Sequence, residues 1–156
     1  MNKRYRTEYC GKINDTMVDK EVTLSGWVEN IRDHGGVLFL DLRDEYGTIQ
    51  LVSNNDEIFK DISKESTITV KGIVRKRNEE DYNNNIETGK IELLVNELNV
   101  ISKANTLPFE IKTTHEVNDE VRLKYRYLDL RNKKVHENIV FRSKVLKFLR
   151  DKMDSM

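Results

Sequence analysis

The chain has 156 residues, of which 35% are charged and 37% hydrophobic, and its 27 basic side chains are balanced by 27 acidic ones. A formal net charge of zero excludes a protein that holds nucleic acid by bulk electrostatics, because that mode needs a basic surface. Any nucleic-acid role must then rest on local basic patches and shaped contacts.

Five strand-like segments precede Pro108, the only proline. Residues 21–32 (EVTLSGWVENIR) set Val22 and Leu24 on one face and then reach Gly26, where a bulge or bend is expected and face parity is not carried further. Residues 37–43 alternate cleanly. Leu38, Leu40 and Leu42 share one parity, and Val37, Phe39, Asp41 and Arg43 share the other. This predicts a half-buried strand that holds an aromatic ring among charges on its outer face. After a turn at 44–47 comes GTIQLVS (47–53), with Ile49 and Leu51 inward and Gln50 outward.

Residues 54–64 open with cap-type asparagines and space Ile58 and Ile62 four apart, predicting one short helix. Residues 66–77 set Ile68, Val70 and Val74 inward, with Arg75 and Arg77 outward. Residues 90–102 set Ile91, Leu93 and Val95 inward and Glu92 outward, after a polar loop, NEEDYNNNIETG. Three strands, a helix and two more strands is the order of the OB-fold, a five-stranded Greek-key barrel. An SH3-like or other small barrel shares the pattern. The predicted class is mainly β with flanking helices.

Beyond Ser102 the character changes. Residues 104–118 lack periodicity and predict a linker. Residues 122–134 carry six basic side chains against Asp129 alone, either the wet side of a helix or a phosphate-contacting hinge. Residues 135–155 predict a helix, with Ile139, Leu146, Leu149 and Met153 at helical spacing and Val145 and Phe148 widening the stripe. The chain stops at Met156 with that stripe uncovered, as expected of a cut inside a longer protein.

Catalytic templates fail. There is no Gly-rich phosphate loop and no HExxH, and His34, His115 and His136 lack metal-ligand spacing. Cys10 is the only cysteine, which excludes an internal disulfide and fits a reducing cytoplasm. The basic start MNKRYRTEYCG has no apolar run behind it, and no stretch approaches about 18 apolar residues. No catalytic residue, metal site, signal or membrane span is predicted.

Phe39 is the sharpest candidate. One reading is a surface aromatic packed under a loop. The other is a platform on which a nucleic-acid base stacks, worth roughly 1–3 kcal/mol per base, as single-stranded RNA is recognised. Gln50, on the neighbouring strand and of the same parity, offers an amide that both donates and accepts. Arg32, Arg75 and Arg77 offer planar forks for phosphate or base edges, or are solvated charges. Glu92 would accept from a base amino group or pair with an arginine.

Five segments occur in order: RTEYCG (6–11), GWVENIRDHGG (26–36), FLDLRDEYGTIQ (39–50), ETGKIEL (87–93) and VRLKYRYLDLR (121–131). Together they resemble the N-terminal part of the bacterial-type aspartyl-tRNA synthetases, a family of class II enzymes, over essentially the whole chain. The resemblance implies an OB-fold anticodon-binding domain at 1–103, a linker or hinge at 104–131, and the start of a class II catalytic domain at 132–156. It implies that the aromatic at Phe39 stacks on an anticodon base. Arg32, Gln50, Arg77 and Glu92 line the same surface and read base edges, and Arg75 contacts the backbone. Asp81 stands where the family usually has asparagine, which puts that contact in doubt. His34 in RDHGG matches the forms that charge both tRNA(Asp) and tRNA(Asn), or is only a loop residue.

The whole enzyme would use ATP and Mg²⁺ and form a homodimer in the cytoplasm. This chain is expected to bind tRNA without cofactor, to be inactive alone and to be monomeric. A stand-alone OB module, or a piece of a lysyl- or asparaginyl-tRNA synthetase, are the competing readings.

Overall fold

A computed structural model describes residues 5–33, 38–53 and 55–156. The chain divides at Asn105/Thr106 into two compact units. The first is a closed barrel of five strands: β1 (Glu21–Asp33), β2 (Leu38–Arg43), β3 (Thr48–Val52), β4 (Thr67–Lys76) and β5 (Ile91–Ser102), in the order β1-β2-β3-β5-β4. The β3–β5 pair is parallel and the other pairs are antiparallel. This is the OB-fold arrangement. Alternation fills the interior with Val22, Leu24, Val28, Leu40, Leu42, Ile49, Leu51, Ile68, Val70, Val74, Ile91, Leu93 and Val95, all buried. Closure gives every strand a hydrogen-bonded neighbour on each side.

Gly26 is not the bulge. It lies where a Cβ would come within 2.3 Å of the Arg43 carbonyl oxygen, so glycine there permits β1 to cross β2 closely. The bulge falls just beyond, where the β1–β2 register shifts between Val28 and Asn30.

The N-terminal segment docks on the β2–β3 turn. The Cys10 amide donates to Asp44 Oδ2 at 2.6 Å, while Asp44 Oδ1 accepts from the amides of Tyr46 (2.8 Å) and Gly47 (3.2 Å). Tyr9 meets Tyr46 edge-on. Burial, with the Asp44 carboxylate beside it, pushes the Cys10 thiol up in pKa, so it stays a protonated apolar filler.

The helix expected at 54–64 is shorter. Asn54 lies outside the described residues, and only Asp56–Phe59 form a single 3₁₀ turn, with the Asn55 side chain accepting from the Glu57 amide at 3.1 Å. The left-handed residue Asp61 (φ 60°) breaks the run. Phe59, not the Ile58/Ile62 pair, is the residue that becomes buried.

The second unit has its own small cluster. Phe109, Ile111 and Leu128 are buried, with Leu107, Val117, Val121 and Tyr125 packed against them. Residues 104–118, read above as a linker, include a 3₁₀ segment, Ile111–Glu116. Short helices α1 (Asp119–Lys124) and α2 (Arg126–Asp129) follow, then α3 (Lys133–Asp154). Asn132 caps α3 by accepting from the amides of Lys134 and Val135, and donates to the Ile111 carbonyl at 2.8 Å. Asp129 is fully buried and held by Arg122 and Arg126. Two of the six basic residues of 122–134 are thus committed to an internal carboxylate. Along α3, Phe141, Phe148 and Met153 are exposed with the rest of the apolar stripe.

Candidate nucleic-acid interface

Strand register builds the outer face of the barrel. Asn30 on β1 pairs with Asp41 on β2, Asp41 with Gln50 on β3, Gln50 with Glu92 on β5, and Glu92 with Arg75 on β4. Five outward side chains therefore form one lateral row across all five strands. Arg32 and Phe39 pair with each other two residues along, on the same face. The bulge makes this possible. Strict alternation from Val28, which faces the core, would turn Asn30 and Arg32 inward as well. The extra residue at Glu29 returns both to the outer side.

The row is wired by hydrogen bonds. Arg32 forks onto Asp41, Nη1 to Oδ2 at 2.9 Å and Nη2 to Oδ1 at 2.6 Å, and Nη2 also reaches Gln50 Oε1 at 3.1 Å. Asn30 Nδ2 donates to Asp41 Oδ2 at 2.9 Å. Gln50 Nε2 donates to Glu92 Oε2 at 2.8 Å, and Arg75 Nε donates to Glu92 Oε1 at 2.6 Å. The carboxylates are the buried members, with side chains 10% exposed at Asp41 and 8% at Glu92. Their arginines are open, at 39% for Arg32 and 44% for Arg75. The acids orient, and the arginines face outward. Arg75 uses only Nε, so its two terminal amino groups have no protein acceptor among the described residues.

Phe39, Gln50, Arg75 and Glu92, together with Lys76, Asn78 and Asp81, line one open recess of about 610 Å³. An aromatic platform, amide and guanidinium donors, and carboxylate acceptors there suit a splayed-out base and its edge. Arg32 joins through Asp41 and Gln50. His34 lies outside the described residues.

Arg77 and Glu92 are on the outer parity and are both largely buried, and Glu92 takes the second of the two roles open to it, pairing with an arginine. Arg77 has a side chain only 4% exposed. Its Nε donates to the Ile91 carbonyl at 3.0 Å and its Nη1 to the Asp81 carbonyl at 3.5 Å, which ties the 78–89 loop over it. Among the described residues, Nη2 is buried without an acceptor. Burial lowers the Arg77 pKa against the pull of Glu92 and Asp41, yet the guanidinium stays charged, because arginine does not lose its proton in proteins. Both Glu92 oxygens are already occupied by Gln50 and Arg75, with Arg77 Nε 3.9 Å from Oε2. The pair holds the wall from behind.

Sequence reasoning left out Asn30, Asp41, Lys76 and Asn78. Asp41 carried a usable signal, since it shares Phe39's parity two residues away. Lys76 and Asn78 carried none; they join the recess because β4 ends there and the loop turns over it.

With this geometry in place, the comparisons decide the family. Residues 22–101 match the tRNA anti-codon family model, described as an OB-fold nucleic acid binding domain. The chain belongs to the tRNA anticodon OB-fold family. Residues 118–156 of this anticodon-type OB protein match tRNA synthetases class II (D, K and N). It is 47% identical to an aspartate–tRNA(Asp/Asn) ligase of Ehrlichia canis, over 97% of this chain and 27% of the relative, and 49% identical to one of Orientia tsutsugamushi, over 96% and 26%. It spans about a quarter of the length of these curated relatives. Among solved structures it resembles asparaginyl-tRNA synthetase of Pyrococcus horikoshii, with a TM-score of 0.77 and 25% identity over 94% of this chain and 34% of that one. It also resembles aspartyl-tRNA synthetase of Entamoeba histolytica, at 0.76 and 25% over 90% and 36%.

Proposed function

We propose that this chain is the anticodon-binding part of an aspartate–tRNA ligase, and that the recess around Phe39 takes anticodon bases. The observation that carries the reading is the Phe39 recess itself. A half-buried ring on the outer barrel face is bordered by an oriented amide, an open guanidinium and acceptors, the set that single-stranded RNA recognition requires. Phe39 stacks on a base. Arg32, Gln50 and Arg75 meet base edges or the backbone, while Glu92 and Arg77 position them. Asp81 is an acceptor where the resemblance implies an amide, so it repels phosphate and can accept but not donate a hydrogen bond.

The whole protein would join aspartate to tRNA at the expense of ATP, giving aspartyl-tRNA, AMP and diphosphate. Mg²⁺ neutralises phosphate charge in that chemistry, which belongs to a class II catalytic domain. Residues 1–103 are the anticodon domain, 104–131 the hinge and 132–156 the opening of the catalytic domain. The whole protein is a cytoplasmic homodimer, and the present chain by itself a monomer.

That the relatives are aspartate–tRNA(Asp/Asn) ligases supports a dual tRNA(Asp)/tRNA(Asn) substrate, and so does the RDHGG loop carrying His34. The full-length protein is expected to aspartylate transcripts of both tRNAs at comparable rates. A preference for tRNA(Asp) of about a hundredfold or more, the scale of one or two lost base contacts, would overturn the dual reading. Absence of aspartylation of either transcript would overturn the ligase reading.

A further inference from the structure

Among the described residues, the wall of the recess contains one cation that no carboxylate holds. Arg32 is forked onto Asp41, Arg75 is bonded to Glu92, and Arg77 is buried beside the same Glu92. Lys76 lines the recess with Arg75, is exposed at the last position of β4, and has no ion-pair partner among the described residues. Its alternation parity is that of Val74, which faces the core. β4 ends here, however, so the ammonium cannot enter the barrel and stands at the rim.

We propose that Lys76 is a backbone-phosphate contact of the RNA strand that occupies the recess. This rests on the anticodon reading above and adds to it which group holds the strand without reading its sequence. An ammonium is a point charge with three rotatable donors, suited to a phosphate oxygen and poorly suited to distinguishing base edges. Among the described residues Lys76 owes no charge to a carboxylate, so a phosphate here breaks no ion pair, whereas one on Arg32 would compete with Asp41, which holds both of its terminal amino groups. Asp81 on the same rim repels phosphate, and this sets the strand's backbone toward Lys76. Phe39 and Lys76 stand on β2 and β4, which are not adjacent in the barrel.

The test is titration of the full 156-residue chain and its Lys76→Gln and Lys76→Arg variants with anticodon stem-loops for tRNA(Asp) and tRNA(Asn) across a salt series. Lys76→Gln is expected to weaken both stem-loops equally, by about three- to tenfold at low salt. It should also reduce the slope of log affinity against log salt by about 0.7, the value for one phosphate of a single strand. Lys76→Arg should restore the slope. An unchanged slope, or a loss confined to one stem-loop, would overturn the proposal while leaving the anticodon reading intact. Failure of the folded unsubstituted chain to bind either stem-loop would overturn the anticodon reading and this inference with it.

Discussion

Replacing Glu92 with alanine is expected to lower the stability of the barrel by about 3–5 kcal/mol, the cost of leaving a buried charge without its partner. The charge in question is Arg77, whose side chain is 4% exposed and which would then face Arg32 with one counter-charge fewer. Gln50 would also lose the acceptor of its Nε2–H. Arg75 adds little, because at 44% exposure it rehydrates once released. Urea unfolding followed by the fluorescence of Trp27, the only tryptophan and a β1 residue, measures the change. A loss under about 1 kcal/mol, typical of a surface pair, would show that Glu92 is not the strut described here. It would return Glu92 to the role of an open acceptor for a base.

The largest effect among the core residues is expected at Leu40. It is fully buried and lies between two outer-face residues, Phe39 and Asp41. Leu40→Ala should cost about 2–5 kcal/mol, combining lost transfer energy with the cavity left behind. Because the closed barrel packs Leu40 among residues from several strands, little collapse is open to it and the upper half of that range is expected. The same urea titration reads it. A cost below about 1 kcal/mol would contradict the inward placement of Leu38, Leu40 and Leu42.

The barrel was largely legible from alternation. The inward leucines of 38–42, Ile49 and Leu51, Ile68 to Val74, and Ile91 to Val95 are all where a period of two places them. Phe39 and Gln50 on a common face followed from the same rule. What alternation cannot carry is register. The row from Asn30 to Arg75 depends on a bulge at Glu29, and Gly26, the residue that seemed to announce it, instead serves a close crossing. Burial on the outer face was equally hidden. Parity sets Glu92 and Arg77 outside, but their exposure depends on the fold of the 78–89 loop and on ion pairs between residues far apart in the chain. The connection at 54–64 failed as a helix because a left-handed residue, Asp61, interrupts it. It is not a glycine, so composition gave no warning.

The central claim is that Phe39 is a stacking platform for an anticodon base, and Phe39→Ala tests it most directly. Phe39 is half-buried and points away from the core, so the substitution should leave the barrel folded by circular dichroism. Titrated with the tRNA(Asp) anticodon stem-loop, the variant is expected to bind about 1–3 kcal/mol more weakly than the unsubstituted chain, a loss of roughly five- to 150-fold. Equal affinity of the two proteins for that stem-loop would contradict the account.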